Sequence, residues 1–273
     1  MEFTDSNKLK GYLKEESKRL EIHSNYAYTY YFLRSFLKRL MQNHSENFVL
    51  KGSLSALIHT KSISRPITDL DIVSHFDLIE SSYIIEKTIA NNDDIKFKLK
   101  EKFITTNETA NFRILCNFDR IEHLIKLDLK KENSYKKIVK DMPIILKKDT
   151  QFKVVTISKE QHIANKMYVI LKNAEANNTL NKEMRRFKDF YDFYFLVKDH
   201  DFDEQEVRRL LNANFERYGE IKRENLVLES LNDKFIRENF DRFLYDKDRF
   251  GFKDISFEEL VNTSREEIKK SIM

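Results

Sequence analysis

The residues best suited to chemistry are carboxylates set in apolar surroundings. Asp69 and Asp71 flank Leu70 in the run Asp69-Leu-Asp71-Ile-Val73, and Asp128 lies in Leu124-Ile-Lys126-Leu-Asp128-Leu129. On a strand, residues i and i+2 point to one face with Cα atoms about 6.5–7 Å apart, which pairs Asp69 with Asp71 and Lys126 with Asp128. The spacing alone is a weak signal, because Asp201/Asp203 and Asp246/Asp248 share it and read as helix-start and surface charges. The setting distinguishes the first pair: an unpaired carboxylate on a buried strand face is costly, and a cation offsets that cost. Three converging acids suit a two-metal site that neutralises the attacking and leaving oxygens of phosphoryl transfer. For attack on an α-phosphate with loss of pyrophosphate, Asp69 and Asp71 would hold metals. Asp128 would complete one site and accept the proton of the attacking hydroxyl. Lys126 would either touch phosphate or balance the acidic cluster.

A second feature lies upstream. The apolar run Asn47-Phe-Val-Leu50 enters Lys51-Gly52-Ser53 and then a short helix from Leu54 to about His59. A strand passing into a helix leaves backbone N–H groups at the helix N-terminus for anionic oxygen, and Ser53 adds a hydroxyl. The plainer reading is a turn glycine followed by an N-cap serine. No rival constellation competes: the seven histidines are scattered, and there is no Cys–His metal spacing, serine nucleophile elbow or Walker glycine loop.

The elements that must position these residues fall into two groups. Asn7–Ile22 and Asn25–Asn43 have helical periodicity, with Tyr26, Tyr30, Leu33, Leu37 and Leu40 of the second on one face and the tyrosines read as core. Lys61–Thr68 is a loop, Asp69–Val73 a strand and Leu78–Asn91 a helix. Strand signals then crowd residues 94–156. Beyond them the character changes to helices over Ser158–Asn173, Glu183–Asp199, Glu204–Tyr218, Asn225–Tyr245 and Ser256–Ser271. The expected architecture is α/β (α+β), with an N-terminal domain over 1–157 and an all-helical domain over 158–273.

Composition limits the alternatives. The 273 residues can bury a core without staples, and the one cysteine, Cys116, excludes an internal disulfide framework and fits a reducing cytoplasm. No stretch approaches the roughly 20 apolar residues that span a bilayer. Lys+Arg of 49 against Asp+Glu of 45 is too even to imply nucleic acid. Locally, residues 126–148 hold eight lysines and three acids, a charge that could attract phosphate but also reads as a sheet edge guarded by lysine.

Five segments in order resemble the AbiEii/AbiGii toxin family, within the DNA polymerase β-type nucleotidyltransferase superfamily. They are Phe48-Val-Leu-Lys51-Gly52-Ser53, Arg65-Pro-Ile-Thr-Asp69-Leu-Asp71-Ile72, Lys126-Leu-Asp128, Ser158-Lys-Glu160-Gln-His-Ile-Ala164-Asn-Lys166, and Arg186-Phe-Lys188-Asp189-Phe-Tyr191-Asp192. The resemblance covers roughly residues 26–199. It implies a polymerase-β-like nucleotidyltransferase domain with a mixed sheet, followed by a helical bundle, and an NTP substrate with Mg2+. It implies nucleotide contacts from Gly52, Ser53, Arg65, Lys126 and Lys166, and a role for Asp189 in organising the site. Without it, Lys166 reads as a solvated helix lysine and Asp189 as the partner of Arg186. Ser53 in place of a second glycine, and Gln161 and His162 in place of apolar residues, depart from the family pattern.

The family further implies a toxin with a cognate antitoxin, and in some members RNA, the tRNA 3′ end, as acceptor. For RNA the sequence itself offers only the basic 126–148 segment and Lys182, Arg185, Arg186 and Lys188. Transfer to a small molecule or protein, and a non-catalytic RNA- or protein-binding module on the same fold, are the alternatives. Three intact acids argue against the last.

Overall fold

A computed structural model describes residues 3–90, 94–132, 134–178, 187–219, 228, 231–250 and 254–272. The chain forms two compact units, Met1–Ile157 and Ser158–Met273.

The first unit is a seven-stranded mixed sheet with helices. In chain order it runs α1 (Ser6–Arg19), α2 (Ser24–His44), β1 (Phe48–Lys51), α3 (Gly52–Thr60), β2 (Leu70–Ser74), α4 (Leu78–Ala90), β3 (Lys96–Thr106), β4 (Thr109–Phe118), β5 (Ile121–Lys131), β6 (Lys137–Asp141) and β7 (Lys153–Ile157). The strand order is β3-β4-β5-β2-β1-β7-β6. β2 runs parallel to β5 and β1 parallel to β7, while the other neighbours are antiparallel.

Strand alternation separates the sheet into two unlike faces. One carries Phe48, Leu50, Leu70, Ile72, Phe112, Ile114, Ile125, Leu127, Leu129 and Val154, packed in one apolar cluster with α1, α2, α3 and α4. Cys116 is buried there as a free thiol. Tyr30 is part of this core, as its helical spacing predicts. On the opposite face the described residues form a small apolar cluster, Val49, Val73 and Ile157 with Tyr135 and Val155 against it. The other positions on that face include the polar Lys51, Asp71, Asn111 and Asp128.

Several boundaries differ from the sequence reading. β2 begins at Leu70, so Asp69 is the last residue of the preceding loop and the strand-face argument covers Asp71 alone. The helix expected from Leu54 begins at Gly52. Asn91, the expected end of the helix before β3, lies outside the described residues, where α4 ends at Ala90. The lysine-rich 126–148 segment includes β6, an edge strand with Lys137 and Lys140 exposed, which suits lysines that discourage edge-to-edge pairing.

The second unit contains α5 (Lys159–Asn178), α6 (Phe187–Val197), α7 (Glu204–Tyr218), α8 (Asp233–Phe250) and α9 (Phe257–Ile272). α7 has the predicted bounds, with Asp203 capping it through the N–H groups of Gln205 and Glu206. α5 runs five residues past the predicted Asn173. Glu183 and Asn225, the expected starts of two helices, lie outside the described residues. Aromatic residues form the core: Phe257 stacks on Phe243 at 4.6 Å and meets Phe187 edge-on at 5.2 Å. Gln161 and His162, polar where the family pattern is apolar, are both buried. Gln161 and Asn214 each donate to Asn165 Oδ1 at 3.0 Å, so two of these polar groups are satisfied together.

One half-buried group of the first unit ties stability to pH. The His123 ring stacks between Phe32 and Tyr28 at 5.6 and 6.0 Å, and its Nε2 lies 2.9 Å from Thr29 Oγ1. Burial holds its pKa below the ordinary 6.5. Below pH 6.5 the unfolded chain binds a proton that the folded chain resists, so this stability is present above 6.5 and lost as pH falls toward the folded value. Thermal unfolding should show Tm dropping below pH 6.5, with a shallower drop in His123→Phe. An equal slope in both proteins would assign the dependence to other groups.

Candidate active site

The polar face gathers its functional groups where β1, β2, β5 and β4 lie side by side. Lys51 is in register with Asp71, Asp71 with Asp128, and Asp128 with Asn111. Adjacent strands lie about 4.8 Å apart, so Asp71 and Asp128 are immediate neighbours across the β2/β5 ladder. Both are half-buried, not fully buried as an apolar strand setting predicts, since α1–α4 pack on the opposite face of the sheet.

Gly52 explains how this row meets the helix. Its φ of +69° is a conformation that side-chain-bearing residues avoid, and it turns the chain from β1 directly into α3. A Cβ placed there would stand 2.6 Å from Asp71 Cγ and 2.8 Å from its Cβ. Only a glycine lets the backbone lie this close over the Asp71 carboxyl group. Next to it, Ser53 is buried, and its Oγ has no hydrogen-bond partner among the described residues. A buried hydroxyl without a partner is costly and marks a place where a ligand oxygen would fit.

Side chains that the sequence reading did not single out support the acids. Asn111 Nδ2 donates to Asp128 Oδ1 at 2.6 Å and fixes that carboxylate. Glu132, its side chain fully buried, accepts from Tyr135 Oη at 2.5 Å and pairs with Lys130 at 3.3 Å. Burial pushes the Lys51 pKa down, an effect opposed first by the charge of Asp71 and less by Glu132 and Asp128. Asn111 sits in a segment whose alternation marks a strand, but only cross-strand register brings it to Asp128.

The other predicted residues are placed as follows. Lys126 is exposed, two residues before Asp128 on the same strand and face. Asp69 is half-buried in the loop ahead of β2. Arg65 is buried in that loop and donates to the Pro66 carbonyl at 3.2 Å. In the second unit, Lys166 donates to Asp189 Oδ1 and Asp192 Oδ2, each at 2.6 Å, all three side chains being largely buried. Lys166 is therefore no solvated helix lysine. Asp192, three residues beyond Asp189 on α6, is a second carboxylate partner that the sequence reading left without a role. Lys188 lies on α6, whereas Lys182, Arg185 and Arg186 lie outside the described residues.

The structure thus brings Gly52, Ser53, Asp71 and Asp128 together, with Lys126 beside them. Among the described residues no three His, Cys, Asp or Glu side chains form a ready-made metal cluster. Asp71 and Asp128 offer the hard oxygen donors that magnesium takes, and the glycine cradle and unpartnered Ser53 hydroxyl beside them suit a phosphate-bearing ligand.

The description "Nucleotidyl transferase AbiEii toxin, Type IV TA system" matches residues 35–263. The chain belongs to this family. It is accordingly a nucleotidyltransferase, and the match extends well into the second unit, beyond the motifs legible by eye. Among solved structures, the nucleotidyltransferase toxin MenT4 (Rv2826c) from Mycobacterium tuberculosis H37Rv aligns with a TM-score of 0.68 at 13% identity, over 95% of this chain and 89% of that one. JHP933 from Helicobacter pylori aligns at 0.54 and 16% identity, over 90% of this chain and 91% of that one. At these identities the likeness is one of fold. No curated protein matches the sequence. No helix among the described residues of this AbiEii-family protein is long and apolar enough to cross a membrane.

Two substitutions test this geometry. Gly52→Ala should cost about 1–3 kcal/mol in chemical denaturation from backbone strain and displace Asp71, removing nucleotidyl transfer. Asn111→Leu should fold normally and lose roughly 10–100-fold in activity or metal affinity, the usual effect of releasing a ligand's support. Unchanged transfer in both variants would place the site elsewhere.

Proposed function

We propose that the protein transfers a nucleoside monophosphate from an NTP to a hydroxyl of RNA, with the tRNA 3′ end as acceptor, and acts in this way as a cytoplasmic toxin with a cognate antitoxin. The observation that carries the reading is the register of Asp71 with Asp128 beneath Gly52 and beside the unpartnered Ser53 hydroxyl. The division 1–157 and 158–273 then corresponds to a catalytic domain and a helical bundle domain.

In this reading Asp71 and Asp128, with Asp69 from the adjoining loop, would hold Mg2+, which when bound supplies neutralising charge for the triphosphate. The Gly52-Ser53 amides at the start of α3 and the Ser53 hydroxyl receive anionic oxygens of the NTP. Asn111 occupies Asp128 Oδ1 and orients the carboxylate so that it accepts the proton of the attacking hydroxyl. Lys126, one pleat along, adds positive charge toward phosphate. Arg65 enters through the loop it braces, which delivers Asp69 to the site. The family resemblance would make Lys166, held by Asp189 and Asp192 within the second unit, a nucleotide contact.

The deciding assay supplies Mg2+, each α-labelled NTP in turn and total tRNA, with Asp71→Ala alongside. Label on tRNA that falls about a thousandfold in the variant is the expected result. Label on the protein or a small molecule instead would keep the enzyme and change the acceptor. The absence of both transfer and metal-dependent NTP binding would overturn the reading. Lys166→Met should also lose transfer, and it should lower the unfolding free energy by about 3–5 kcal/mol by leaving two buried carboxylates without their cation. Full stability in that variant would contradict the burial of the triad.

A further inference from the structure

The row of functional residues does not end at Asn111. Across the β3/β4 ladder Asn111 is in register with Phe103, so Phe103, Asn111, Asp128 and Asp71 form one line over four strands. By strand spacing Phe103 lies about 10 Å from Asp128 at the backbone. It points to the same polar face, and it is 49% exposed, unusual for a phenylalanine on a sheet already provided with a core.

Its neighbours in the next row are two cations, Arg113 and Lys126, and one acid, Glu101. Arg113 lies over the Phe103 ring at 5.8 Å and pairs with Glu101 at 2.9 Å, two exposed contacts that hold guanidinium and ring beside each other. The next row along the strands places Lys126 opposite Arg113. Beyond it, exposed Lys98 is in register with Leu115, which is itself opposite Leu124, 45% exposed. An exposed aromatic ring, two strand-borne cations in the adjacent row and a third beyond them therefore lead up to Asp128.

We infer that this strip, Phe103 with Arg113, Lys126 and Lys98, is the docking track for the single-stranded end of a polynucleotide acceptor. Phe103 stacks a base close to the reacting hydroxyl, while the cations follow the phosphates. An aromatic platform beside a positive track is the means by which proteins hold single strands with little sequence preference. Charge complementarity favours a polyanion over a protein segment, and the in-register continuity with Asp128 favours an acceptor over a ligand bound elsewhere. The inference rests on the RNA-acceptor reading above and adds to it the residues that select a single strand.

The test uses the full chain and a fluorescein-labelled 12-nucleotide single-stranded RNA. Phe103→Ala should weaken binding about tenfold and raise KM for the RNA while leaving Mg2+-dependent NTP binding unchanged. Phe103→Trp should restore affinity, and Arg113→Gln should flatten the salt dependence of binding. Wild-type protein that binds RNA, with Phe103→Ala binding equally well, overturns the track but leaves the RNA acceptor standing. Wild-type protein that transfers nucleotide but binds no RNA overturns the acceptor reading together with the track. Loss of antitoxin association in Phe103→Ala, with RNA binding intact, would make the strip a protein interface and likewise overturn the proposal.

Discussion

The close approach of the Gly52 backbone to the Asp71 carboxyl group is the constraint around which the first unit is arranged. It demands a residue without a Cβ, a positive φ and an immediate start to α3, and these three conditions meet at one position. Because β1 turns into α3 there, the first residue of the helix lies against Asp71 of β2. The main core below the strands that carry the acids then has to be supplied from the other face of the sheet, where Leu50, Leu70, Ile72, Leu127 and Leu129 hold the same strands in place. A shift of one residue in any of these strands would exchange the two faces and move the carboxylates into the apolar core.

Charge on the polar face is balanced locally. Lys51 and Lys130 stand among Asp71, Asp128 and Glu132, and Glu132 is held by Tyr135 as well. In the second unit Lys166 plays the corresponding part for Asp189 and Asp192. Each half of the protein therefore carries a compact cluster of opposite charges, mostly half-buried in the first unit and largely buried in the second. Such clusters add little net stability, yet they fix side-chain positions closely, because removing one member takes a charged partner from the others.

Much of this was legible in the sequence, for identifiable reasons. Helices such as α2 and α7 announce themselves through periodicity and capping residues, and the acids of β2 and β5 stand out against apolar neighbours. The order of the short motifs pointed to the family, and the match over residues 35–263 agrees. What remained hidden depends on register and tertiary contact. Asn111 is one asparagine among many until β4 is aligned with β5, and Phe103 is an ordinary strand residue until β3 is aligned with β4. Asp69 failed as a strand residue because pairing begins only at Leu70, one position later than the apolar pattern suggests. The pairing of Lys166 with both Asp189 and Asp192 joins residues 23 and 26 positions apart, beyond any local pattern.

The position of β1 within the sheet has a consequence for the protein's biosynthesis. β1 lies between β2 and β7, and its parallel pairing joins Leu50 to Thr156. Until β7 has been translated, β1 is an edge strand, and the turn at Gly52 is flanked on one side only. At about 5–20 residues per second, the ribosome needs roughly 5–20 s to pass from Gly52 to Ile157. A nascent chain of this protein is thus unable to close the sheet on both sides of β1 during that interval, and the strand next to the Gly52 turn stays open until the whole first unit has been translated.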